Sequence, residues 1–207
     1  MSVVTHELSS RARPTVVHPL WLRLMHWTNA AAFFVMLASG WRIYNASPLF
    51  GFKFPREITL GGWLGGALQW HFAAMWVLAA NGLLYLAWSI ATGRLQRRLL
   101  ATSPRRLLGD LRQFARGKLA HDDLAHYNDI QKSAYVAAIG LLVVIVLSGL
   151  AVWKSVQFPL LRELMGGYEG GRLVHFFAMT GLVAFVIVHV AMATLVPKTI
   201  LAMLRGR

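Results

Sequence analysis

A chain of 207 residues that is 57% hydrophobic and only 14% charged is too apolar for a soluble domain, where about a quarter of residues are charged. Its size suits one membrane-embedded bundle and leaves no room for a second sizeable domain. The absence of cysteine excludes thiolate metal sites, Fe–S ligation within the chain, thioether-linked haem and disulfides. The net charge of +13 is concentrated in one inter-helix loop, which reads as membrane topology rather than nucleic-acid binding.

Residues 1–17 form a polar tail containing Arg11 and Arg13. It has no secretory signal pattern, so the first apolar run is expected to stay in the membrane. A transmembrane domain is expected over residues 18–200, followed by a basic tail over 201–207. The first span runs from about Leu20 to Tyr44 and stops at an Asn-Ala-Ser-Pro turn signal, Asn45–Pro48. The loop 46–66 is rich in Gly, Pro and aromatics and suits an interfacial segment, with Trp63 at headgroup level.

The second span runs from about Ala67 to Thr92, with His71 near its start and Asn81 midway. The polar segment Gly93–Tyr127 carries eight Lys and Arg residues. An amphipathic helix around Pro104–Leu119 is expected there, with its arginines on anionic headgroups. Asn128–Val152 is the third span. A loop over 153–171, containing GGYEGG, leads to the fourth span, Arg172–Pro197, and no internal repeat is visible.

Four spans place both termini on one side. The tails, the 93–127 loop, Arg23, Lys132 and Lys198 hold fifteen of the twenty-one Lys and Arg residues. The other two loops and their helix ends hold six: Arg42, Lys53, Arg56, Lys154, Arg162 and Arg172. By the positive-inside rule both termini face the cytoplasm. The expected fold is therefore an all-α integral membrane four-helix bundle.

That orientation sorts the histidines by depth. His26 lies seven residues past Pro19 on an outward span, and His189 lies eight before Pro197 on an inward span. Both fall in the cytoplasmic half. His71 and His175 each come within a few residues of the start of an inward span, near the outer face. His175 and His189 share a helix 14 residues apart, about 21 Å along the axis and on roughly the same side. A lone intramembrane histidine is more often a packed, hydrogen-bonded side chain than a ligand. Two depth-matched pairs on facing helices instead have the layout of cofactor sites in bundle cores. His6, His18, His121 and His126 are weaker rivals, lying in the tail, at the span's edge or in the basic loop.

Two imidazoles are too few for a bare transition-metal ion, and no Asp or Glu is available within the membrane, Asp129 standing at the very start of the third span. Haem iron brings four equatorial nitrogens and needs only axial ligands from protein. Two histidines per site leave no vacancy, which suits electron transfer.

Arg23 with His26-Trp27, His71, the run Tyr127-Asn128-Asp129-Ile130-Gln131-Lys132, and the pair His175 and His189 resemble the four-helix cytochrome b561 family of bacteria. That family includes the haem b subunits of membrane formate dehydrogenases and Ni–Fe hydrogenases, and the resemblance covers about residues 18–197. It implies two haem b groups in a bacterial inner-membrane protein. His26 and His189 would be the axial ligands on the cytoplasmic side, and His71 and His175 those on the periplasmic side. It also implies a quinone site near the inner haem that includes Asn128 and Gln131. These two share a helix face at i and i+3 and offer donors and an acceptor, or else are simple helix-start polar residues. Arg42 and Arg172 outside, and Arg23 and Lys132 inside, are either partners of haem propionates or interfacial anchors.

The long 93–127 loop departs from a minimal member. The glycine-rich outer loops look like surfaces for a partner, and the resemblance associates such chains with periplasmic molybdopterin-dependent oxidoreductases. The expectation is a dihaem b-type cytochrome passing electrons between a periplasmic redox partner and the quinone pool. One alternative is a stand-alone quinone oxidoreductase acting on a small species such as superoxide. Another is a non-redox membrane scaffold or transporter.

Overall fold

The computed structural model describes residues 19–92, 124–195 and 197–206. The tail 1–17 and the expected amphipathic helix around Pro104–Leu119 lie outside the described residues. Among the described residues there is no strand, and four helices are long: α1 (Leu20–Ala46), α2 (Leu64–Ala91), α3 (Leu124–Trp153) and α5 (Gly167–Leu195). Two shorter ones follow α3 and α5, namely α4 (Pro159–Leu164) and α6 (Pro197–Arg205).

Proline and glycine set the helix boundaries. Pro19 precedes α1, and Pro159 and Pro197 open α4 and α6, where the missing N–H costs nothing. GGYEGG, expected as loop, is helical from Gly167 onward. Gly166 and Gly167 have φ of 82° and 81°, a backbone that L side chains rarely adopt. The turn is thus made at the first two glycines, and the rest of the motif forms the first turn of α5.

α2, the Val136–Trp153 part of α3, and α5 are long and apolar enough to cross a membrane, so the chain is a multi-pass membrane protein. α1 matches them in length at 27 residues. It is not among the three because Arg23, His26, Asn29, Ser39, Arg42 and Asn45 interrupt its apolar sequence. Large side chains such as Trp70, Trp76, Leu83, Ile90, Val146 and Ile187 are exposed, as lipid contact requires. The buried positions are mostly small: Ala32, Ala67, Ala74, Ala138, Ala151 and Ala178. Lipid tails are as apolar as leucine, so helices associate through close approach of small residues rather than through apolar burial.

The helices pack as two hairpins, α1 against α2 and α3 against α5. Among the described residues, no pair of helices from different hairpins packs backbone to backbone to a comparable extent. Asn81 on α2 fastens the first hairpin from within. Its Nδ2 donates to Met25 O at 2.8 Å and to Asn29 Oδ1 at 2.7 Å on α1.

One end of the bundle is closed by the α1–α2 loop. Asn45 holds Phe54 by both its N–H and its carbonyl, each at 2.8 Å, and Trp41 stacks on Phe54 with ring centroids 4.8 Å apart. Tyr44 and Phe50 each reach Phe176 of α5 at 5.3 Å, the residue after His175. At the opposite end Arg23 of α1 donates from Nε to Met203 O at 3.0 Å and also bonds Leu204 O. A cation thus meets the negative end of the α6 dipole.

Candidate cofactor site

Both histidine pairs bridge the two hairpins. His71 on α2 meets His175 on α5, with ring centroids 6.4 Å apart and planes crossed at 62°. His26 on α1 meets His189 on α5 at 6.2 Å and 53°. An imidazole nitrogen binds a first-row metal at about 2 Å and lies about 1 Å from its own ring centroid, so two rings sharing one ion have centroids about 6 Å apart. Both pairs meet that requirement. Among the described residues there is no group of three or more His, Cys, Asp or Glu placed to hold a metal ion. A bare ion therefore finds too few protein ligands, whereas a metal carried in a planar macrocycle needs only the two axial ones. The residues fit a haem at each pair, seated where the hairpins do not pack backbone to backbone.

The His71/His175 pair is held by a device that occurs twice. His71 Nδ1 lies 3.1 Å from Met36 O and 3.2 Å from Ser39 Oγ. His175 Nδ1 lies 3.1 Å from both Ile145 O and Ser148 Oγ. A carbonyl only accepts. Each serine hydroxyl donates one turn back, Ser39 to Val35 O at 2.6 Å and Ser148 to Val144 O at 2.8 Å, so its oxygen is free to accept from the ring. Nδ1 therefore carries the proton in both histidines, and Nε2 keeps the lone pair that a metal needs. The glycine after each serine makes room for the ring. A Cβ at Gly40 would stand 3.5 Å from His71 Cε1, and one at Gly149 would stand 3.3 Å from His175 Cε1.

The sequence reading missed Ser39, Gly40, Ser148 and Gly149. The signal was present as a Ser-Gly dyad late in α1 and again late in α3, each one hairpin turn before a histidine. The His26/His189 pair is built differently. His26 lies edge-on to Trp27 at 5.3 Å, and His189 stacks on Phe185 at 5.7 Å with planes 19° apart.

The four basic candidates are distributed as follows. Arg23 is engaged with the end of α6, as above. Arg42 bonds Gly62 O in the α1–α2 loop and lines a cavity of about 530 Å³ with Asn45, Lys53, Arg56 and Glu57. Arg172 pairs with Glu169 at 2.8 Å and also bonds Ser47 O, joining the start of α5 to the end of α1. Lys132, with Asn128 and Gln131, lies on the opening turns of α3; the side chains of all three are outside the described residues.

A protein of Azospira oryzae named as a putative protein-methionine-sulfoxide reductase subunit, YedZ1, is 60% identical over 190 residues, which is 92% of this chain and 96% of that protein. No solved structure matches the chain. Residues 17–206 match the family model of prokaryotic cytochrome b561, and the chain belongs to that family of haem b electron-transfer proteins of the membrane.

Proposed function

We propose that the chain is a dihaem b-type cytochrome of the bacterial inner membrane that carries electrons from the quinone pool to a periplasmic oxidoreductase. The observation that carries this reading is the pair of cross-hairpin histidine couples, at 6.4 and 6.2 Å, joined by α5 about 21 Å apart along its axis. Haem supplies one-electron redox chemistry at each couple. His71 with His175, and His26 with His189, would be its axial ligands, and occupying both axial positions excludes oxygen binding and favours electron transfer.

The remaining residues bind and orient. With both termini cytoplasmic, Asn128 and Gln131 lie at the cytoplasmic end of α3, where they would hydrogen-bond the carbonyls of a quinone. Lys132 and Arg23 at that end, and Arg42 and Arg172 at the other, would pair with propionates, the three arginines exchanging part of their present bonding to do so. The aromatic cluster of Tyr44, Phe50 and Phe176 would shield the His71/His175 couple on its periplasmic side.

The name of the Azospira relative gives the partner its chemistry: an enzyme, molybdopterin-dependent in our reading, that reduces methionine sulfoxide in proteins. Returning a sulfoxide to a thioether consumes two electrons and two protons, and a quinol releases the same numbers. Electrons then run outward, downhill in a membrane potential that is negative inside, by about 2.3 kcal/mol per charge per 100 mV for a full crossing.

The test is to add a quinol to the purified chain and follow the b-type α-band, then add the partner enzyme with an oxidised peptide. The reading expects reduction by quinol and reoxidation that requires both partner and sulfoxide. Haem that quinol leaves oxidised, or that reoxidises equally without the partner, overturns it.

A further inference from the structure

The two serines of the repeated Ser-Gly device have no role in the reading above, yet each is wholly buried. A buried hydroxyl in an apolar span needs a partner, and bonding back to the i−4 carbonyl satisfies the donor alone. The acceptor side of each oxygen is aimed at a histidine Nδ1, at 3.2 Å for Ser39 and 3.1 Å for Ser148. The register is the same in both hairpins: the serine, the carbonyl three residues before it, and the glycine after it all meet one imidazole. Geometry repeated on two unrelated helix pairs points to a shared requirement at the histidine.

We propose that Ser39 and Ser148 are positioning residues for the His71/His175 haem site. Each hydroxyl oxygen accepts from the Nδ1–H of its histidine, fixes the rotation and tautomer of the ring, and strengthens it as a donor to iron. A more electron-rich imidazole favours the ferric state, so the serines hold this haem at a lower potential than the carbonyls alone would. The His26/His189 site, with its aromatic neighbours Trp27 and Phe185, is untouched by them. The inference rests on the dihaem reading.

The experiment is a potentiometric titration of the b-type α-bands of the full chain in membranes, comparing wild type with Ser39→Ala, Ser148→Ala, the double variant, and Ser→Thr at each position. Losing one neutral hydrogen bond should change the reduced-to-oxidised ratio of one haem roughly 2- to 10-fold at fixed poise, towards the reduced form. The double variant should shift further in the same direction. The second haem should stay unmoved, and threonine, which keeps the hydroxyl, should restore the wild-type value at one position at least. Loss of one haem in the alanine variants, rescued by threonine, also supports the proposal. Two haems with unmoved potentials, a shift shared by both haems, or threonine behaving as alanine at both positions overturns it. A wild-type chain holding fewer than two haems overturns the dihaem reading itself, and that is read before any variant.

Discussion

His175 points its Nδ1 at the Ser148 hydroxyl, 3.1 Å away on the other helix of its hairpin, while its ring stands 6.4 Å from that of His71 in the other hairpin. The bond within the hairpin assigns the proton to Nδ1 and leaves the lone pair on Nε2. In the proposed dihaem reading, ligation between hairpins would join two halves whose backbones otherwise pack little against each other. The cofactor would then be part of the core, so removing it should loosen the contact between hairpins while leaving each hairpin intact.

The glycines give a graded steric prediction. A methyl at Gly40 would meet His71 at an ordinary 3.5 Å, whereas one at Gly149 would stand 3.3 Å from His175 Cε1 and force the ring to yield. Gly40→Ala should keep full haem content. Gly149→Val should displace His175, at an overpacking cost of about 1–3 kcal/mol, and lower the occupancy of one haem only. Haem content and the α-band per chain check this; a Gly149→Val chain with two fully occupied haems contradicts it.

Asn81 makes a separable prediction about stability. Replacing it by Leu removes the bonds to Met25 O and Asn29 Oδ1, each worth about 0.6 kcal/mol on average in a membrane helix pair. The holo-protein should lose a few degrees of thermal stability in detergent with its spectrum unchanged. An altered α-band in Asn81→Leu would show that the pair acts on a haem and not only on helix packing.

Gln131→Ala should slow quinol-driven reduction several-fold while haem content and potentials stay at wild-type values. Stopped-flow reduction with a short-chain quinol measures this. An unchanged rate removes Gln131 from the proposed quinone site.

Much of this was legible in the sequence. Histidine depth, read from Pro19, Gly66, Gly171 and Pro197, paired His26 with His189 and His71 with His175, and the structure brings those same rings together. Depth is legible because a helix converts residue count to distance linearly. What holds the rings was not legible. Ser39 and Ser148 act through a neighbouring helix, and sequence alone gives no rotation of one helix against the next. GGYEGG was misread as loop because glycine marks a permissive backbone without saying where the turn ends. α1 was counted with the other spans, although its polar residues, among them Asn29 and Ser39, leave it less apolar than they are. Those same residues make its bonds to α2.

The central claim, two bis-histidine haem sites sharing α5, is tested most directly by the haem-to-chain ratio of the purified protein and its single-histidine variants. The account predicts two haems in the wild type, one in His71→Ala, one with the complementary spectrum in His26→Ala, and none in the double variant. One haem in the wild type, or two retained in either single variant, would contradict it.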